Sequence, residues 1–146
     1  KKNAKRTRYL AHTLLVCAVL QTFYTASIMV DNFTAMKILF AVFLSLLPVM
    51  LFLLLRFFDD YLPTKKTFFS WLVRVAMFVL TIADVIMQLI NPFTEIAGSF
   101  RFHENSVVRW IIEPKPIYYL HIMVCYFIVV LLVIHLIHYT LSMSGI

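Results

Sequence analysis

The sequence predicts an all-α membrane protein: four transmembrane helices in a bundle, with a short extracytoplasmic β-hairpin between helices three and four. Three observations carry this. Of 146 residues, 62% are hydrophobic and 14% charged, with a mean hydropathy of +0.90. A soluble domain is nearer half apolar and a quarter charged, and a chain this short cannot hide so much apolar surface in one aqueous core. The apolar residues gather in four runs, about 9–30, 33–55, 68–90 and 117–139. Each approximates the roughly 20 residues that cross a hydrocarbon core of about 30 Å, and lipid admits such runs only as helices. Between the third and fourth runs stands a polar stretch, NPFTEIAGSFRFHENSVVRW, from Asn91 to Trp110.

The first run follows a basic block, KKNAKRTR. It has no A-x-A cleavage site and therefore does not read as a secretory signal. The missing initial Met predicts an excerpt of a longer chain, with 1–146 as a single transmembrane domain. The second run carries Pro48 near its middle, which removes one helical hydrogen bond and kinks the helix. The connection FFDDYLPTKK contains Pro63 and is short, so the second and third helices are expected to be antiparallel neighbours. Tyr118 and Tyr119 open the fourth run at headgroup level, the level that also suits Trp110.

Charge placement gives the topology. Lys1, Lys2, Lys5, Arg6 and Arg8 precede the first run, and Arg56, Lys65 and Lys66 flank the second connection. The positive-inside rule puts both clusters in the cytoplasm, with Arg74 snorkelling to the same side. Both termini are then cytoplasmic, and 91–116 lies outside a bacterial inner membrane. Arg101, Arg109 and Lys115 on the outer side weaken the bias; Glu95, Glu104 and Glu113 offset them. The net charge of +6 and pI near 9.5 therefore point to anionic lipid headgroups of the bilayer, not to nucleic acid.

Within the insert, SFRFH alternates apolar and polar residues, the period of a half-buried strand. Glu104-Asn105-Ser106 has turn chemistry. Val107 to Ile112, rich in β-branched and aromatic residues, reads as the returning strand. Two strands alone are marginal in water, so the hairpin is expected to lie against the helix ends as a lid, with Asn91, Pro92, Phe93, Phe100, Phe102, Asn105 and Trp110 as its principal residues.

Here the residues also carry a resemblance. The stretch LINPFTEIAGSFRFHENSVVRW…PIYYLHIMVCYF is similar to the multi-helix membrane input domains at the N-termini of bacterial diguanylate cyclases (GGDEF proteins) and sensor histidine kinases. In those domains a helix ends in N-P-F-T-G and is followed by an F-x-F-D-x-x-N-x-Y hairpin. Asn91, Pro92, Phe93 and Thr94 match the first motif, and Phe100, Phe102, Glu104 and Asn105 match the second loosely. Tyr118 or Tyr119 stands where the family has a later tyrosine. Glu95 replaces the family's Gly, and the family's R-G-x-x-Y element is not recognisable in VVRWIIEPKP. The resemblance implies about seven helices in all, of which this chain holds the second to fifth. It also implies a cytoplasmic cyclase or kinase in cis, and a homodimer by analogy.

Ionisable and polar residues inside membrane runs are functional candidates. Asp84, Gln88 and Asn91 fall at i, i+4 and i+7 and so share a helical face. The outer half of the first run offers Gln21, Thr22, Tyr24, Thr25 and Ser27. These two sets either form an outward-open polar cavity for a signal or tie helices together by hydrogen bonds. His121 and His135, 14 residues apart, return to one face with a rise of about 21 Å, as the paired haem ligands of b-type cytochromes do. Only His12 stands on another helix as a partner, so at most one haem b is conceivable. Cys17 and Cys125 lack a C-x-x-C neighbour and read as small packing residues. Phosphate-loop, dinucleotide, zinc-protease and serine-hydrolase motifs are absent from the sequence, and no enzyme chemistry is expected of this chain. The reading that follows is a membrane sensory module without a resident cofactor. Its alternatives are a haem-binding electron carrier and part of a transporter; against the latter stands the lack of paired broken helices.

Overall fold

The computed structural model describes residues 2–61, 68–102 and 110–143. They form α1 (Lys2–Met29), α2 (Phe33–Tyr61), α3 (Phe68–Thr94), β1 (Gly98–Phe102), β2 (Trp110–Pro114) and α4 (Tyr118–Met143). All four helices hold apolar stretches long enough to cross a membrane: Thr7–Met29, Phe33–Asp60, Trp71–Thr94 and Tyr118–Ile137. Most described side chains of α1, α3 and α4 are exposed, as lipid-facing helices require, whereas those of α2 are mainly half-buried or buried.

α1 and α2 are antiparallel across a three-residue link. Asn32 caps α2: its Oδ1 accepts from Ala35 N at 3.0 Å and its carbonyl from Met36 N at 2.9 Å, which satisfies N–H groups that a helix start leaves orphaned. α2 is the hub and packs against α1, α3 and α4, whereas α3 and α4 touch each other sparingly. Pro48 lies inside α2, fully buried. The core is a short apolar block of Leu55, Met77, Val124, Ile128 and Leu132, drawn from α2, α3 and α4.

The helices overrun the apolar runs. α2 continues past Leu55 to Tyr61, where Arg56 stands 3.7 Å from Asp59 one turn on. α3 does not halt at Asn91-Pro92 but runs to Thr94. Proline removes only its own N–H, and the next turn still closes: Glu95 N bonds Asn91 O at 2.8 Å and Thr94 Oγ1 bonds Ile90 O at 3.0 Å. Glu95 then turns the chain with φ of 50°, the only positive φ of a non-glycine among the described residues. That conformation costs an L-residue about 1–2 kcal/mol, and it falls where the resembling domains carry Gly.

The hairpin is antiparallel, with Gly98 opposite Pro114, Phe100 opposite Ile112 and Phe102 opposite Trp110. Its described returning strand spans Trp110–Pro114, two residues past the expected end at Ile112. Lys115 N extends the ladder to Ala97 O at 2.9 Å. Cross-strand pairing from Gly98 fixes this register, whereas sequence alternation alone leaves it free to slide. Residues 103–109, with Asn105 and the expected turn, lie outside the described residues.

Candidate functional site

α4 organises the polar chemistry. His121, Val124, Ile128, Leu132 and His135 recur every three or four residues, so one face carries the core with a histidine at each end. Each histidine meets a carboxylate on a different helix. At the hairpin end, His121 Nδ1 donates to Asp84 Oδ2 of α3 at 2.7 Å, and both side chains are almost wholly buried. At the opposite end, His135 Nε2 lies 3.1 Å from Asp59 Oδ1 of α2, while its Nδ1 donates to Leu131 O at 2.8 Å. Asp59 Oδ2 also sits 3.8 Å from Arg74 Nε, so one carboxylate is approached by side chains from all three core helices: Arg56 of α2, Arg74 of α3 and His135 of α4.

The hairpin-end pair is the more enclosed. Asp84 is 3% exposed and His121 3%. Cys125, one turn after His121, places its Sγ 4.0 Å from His121 Nε2. Asp84, His121 and Cys125 each offer a ligand atom, all within 4.8 Å of one another. On α3, Thr81 and Gln88 flank Asp84 by one turn each, both buried. Thr81 Oγ1, Asp84 Oδ1 and both amide atoms of Gln88 make no hydrogen bond to the protein. Buried polar atoms are usually satisfied, so this stripe holds unspent hydrogen-bonding capacity. Beside it lies an apolar groove of about 540 Å³, lined by Leu80 of α3 and by Leu120, Met123, Val124, Tyr126, Phe127 and Val130 of α4.

The expected residues divide. Asp84 and Gln88 belong to this stripe. Asn91, on the same helical face, instead serves the hairpin: its Oδ1 accepts from Ala97 N at 2.7 Å and Gly98 N at 3.1 Å, and its Nδ2 donates to Gly98 O at 3.4 Å. Gln21 and Thr25 are exposed. Thr22 Oγ1 and Ser27 Oγ are bonded within α1, to Ala18 O and Tyr24 O. α1 packs chiefly on α2, whereas Asp84 of α3 meets His121 of α4. His12 is exposed on α1, while His121 and His135 already have carboxylate partners.

Of the lid residues, Phe100 is buried edge-on against Phe40 of α2, with ring centroids 6.2 Å apart, whereas Phe93 points outward at 77% exposure. Pro92 occupies the last turn of α3, and Phe102 and Trp110 form the last described backbone pair of the hairpin. Sequence reasoning missed Lys37 altogether. Its Nζ meets Glu95 Oε1 at 2.5 Å and lies 5.6 Å from the Phe100 ring centre. The Lys37 hydrogen bond, aided by its charge, holds the Glu95 carboxyl below its ordinary 4.5. Lys115 Nζ reaches the Glu95 carbonyl at 2.5 Å, and these contacts offset the turn's strain. A lysine four residues into an apolar helix was the available signal; for Cys125 it was the i+4 spacing from His121.

The model of one protein family, the N-terminal 7TM region of histidine kinase, matches residues 1–146. The chain belongs to this family. This 7TM region is thus a membrane sensory input module, and the match names histidine kinases, leaving the diguanylate cyclase side of the resemblance without support. Comparison with curated proteins and with solved structures gives no match.

Proposed function

We propose that this 7TM region senses at the buried Asp84–His121–Cys125 stripe and passes the signal to a histidine kinase joined to it in cis. The observation that carries the reading is the Asp84–His121 pair. It is a buried, charge-capable tether across a helix interface that is otherwise thinly packed. Removing one partner of such a pair costs about 3–5 kcal/mol, of the same order as the ~5.5 kcal/mol that inverts a two-state equilibrium from 1:99 to 99:1. An event that strengthens or breaks the tether would shift α4 against α3. The Asp59–His135 contact, 14 residues along the same face, would carry that shift to the opposite end, a helix displacement of the kind that switches receptors.

In this reading the opposite end is cytoplasmic, as Arg56 and Arg74 beside Asp59 favour under the positive-inside rule, and the hairpin lies outside a bacterial inner membrane. A homodimer is the natural assembly for phosphorylation between kinase subunits. The test is autophosphorylation of the intact kinase in proteoliposomes. Asp84→Asn should lock the rate at one level, high or low, while wild type responds to its stimulus. A variant that responds like wild type refutes the assignment.

A further inference from the structure

The carboxylate, imidazole and thiol at the α3–α4 interface form a donor set as well as a tether. We propose that Asp84, His121 and Cys125 bind one borderline-soft divalent metal ion of the zinc class, and that this ion is the ligand of the sensory site. The identification of the ion as the signal rests on the functional reading above; its binding does not.

Three observations converge. The three ligand atoms already lie within 4.8 Å of one another. In a tetrahedral site with bonds of about 2.0–2.3 Å, donors stand roughly 3.3–3.7 Å apart, so a contraction of about one ångström closes the shell. The donors are held on two rigid helices, with His121 and Cys125 at i and i+4 on α4, a spacing that puts them on one face. Asp84 Oδ1 is buried without a hydrogen bond, as are both amide atoms of Gln88 one turn away, and a buried polar group is left so only at a cost. A cation beside the carboxylate would employ the lone pair that the protein leaves idle.

The donor types and their charges choose the ion. A mixed oxygen, nitrogen and sulfur set suits zinc-like ions, whereas magnesium and calcium prefer all-oxygen shells. On binding, Cys125 gives up its thiol proton to solvent and ligates as thiolate. His121 ligates as neutral imidazole, keeping its proton on the nitrogen that does not bind. Asp84 ligates as carboxylate. The two negative charges cancel the two positive charges of the ion, and the filled site is neutral. Neutrality matters here, because an uncompensated charge among apolar helices is costly. A monovalent ion would leave the site negative. The fourth position stays open to water or to the Gln88 amide oxygen. Filling the site would lock α3 to α4 more firmly than one hydrogen bond does.

The test is titration of the whole chain, in lipid nanodiscs, with cobalt(II) as a spectroscopic substitute for zinc. Expected is saturation at one equivalent, with a thiolate-to-cobalt charge-transfer band in the near ultraviolet that zinc bleaches. Cys125→Ser should abolish the band. Asp84→Asn and His121→Gln should weaken binding by more than the roughly 10–100-fold typical of an outer-shell change. Cys17→Ser, on exposed α1, should leave the spectrum unchanged. A wild-type chain that shows no saturable band overturns the site irrespective of how any variant folds. So does a band that survives Cys125→Ser. Neither result touches the sensory reading, which is decided by phosphorylation. A kinase insensitive to Asp84→Asn whose chain still binds cobalt would refute the sensory role and leave the metal site standing.

Discussion

Asn91 shows how one side chain joins the helical bundle to the hairpin, and its removal has a calculable effect. Its Oδ1 accepts two backbone N–H groups, from Ala97 and Gly98, at 2.7 and 3.1 Å. Ala97 is fully buried and Asn91 nearly so. In Asn91→Ala these two donors lose their acceptor. An unsatisfied buried donor costs about 1–3 kcal/mol, and a central value of about 2 kcal/mol applies at each amide. Since 1.4 kcal/mol is a factor of ten, exchange of the Ala97 and Gly98 amides should quicken roughly thirtyfold. Amides in the middle of α2 should be unaffected, because no Asn91 contact reaches them. Asn91→Asp keeps an acceptor for both N–H groups and should retain most of the protection. Hydrogen–deuterium exchange of the chain in nanodiscs reads this directly. Unchanged protection at Ala97 and Gly98 in Asn91→Ala would refute the view that Asn91 anchors the hairpin.

Other residues give sharper local outcomes. A Cβ at Gly98 would stand 2.9 Å from Ile112 Cγ2 and 3.1 Å from the Glu113 carbonyl oxygen. Gly98→Ala should therefore destabilise the hairpin by about 1–3 kcal/mol, seen as faster exchange in β1 with α1 unchanged. The Glu95 carboxyl is held below its ordinary 4.5 by Lys37. A depressed acid stabilises the fold above its unfolded pKa, and that contribution is lost as pH falls through the folded value. Hairpin protection should thus fall progressively below about pH 4.5, and Glu95→Gln should remove that dependence. At the opposite end, Asp59→Asn weakens the contacts to His135 and Arg74. It should lower resistance to denaturing detergent by about 2 kcal/mol, and an unchanged denaturation midpoint would show those contacts to be idle.

The fold was legible because lipid enforces it. Four apolar runs of sufficient length have one solution, and the SFRFH alternation marks a strand that does pair. The element ends were less legible. Pro92 reads as a stop, but a proline near a helix end deletes a single bond and the last turn can close around it. Glu95 shows the converse. A glutamate gives no local sign of a left-handed turn, and only the resembling motif, with Gly there, held the hint. At the site, Asp84 and Gln88 were recognisable from polarity and spacing on one helix. Their partner was not, because which helix faces α3 depends on packing among four similar apolar surfaces. His121 was read for its distance from His135, and the same-face relation was right. The partner of each proved to be a carboxylate, Asp84 or Asp59. Asp59 lay hidden in FFDDY, which reads as a polar loop until α2 is seen to continue through it.

In the proposed mechanism Asp84 and His121 act as one coupled element in the control of kinase output. The most direct measurement is a double-mutant cycle on autophosphorylation of the intact kinase in proteoliposomes, with Asp84→Asn, His121→Gln and both together. Each single variant should shift the rate to a fixed level, and the double variant should go no further than the larger single effect, because one interaction is lost in all three. Additive effects, or single variants that respond like wild type, would contradict that mechanism.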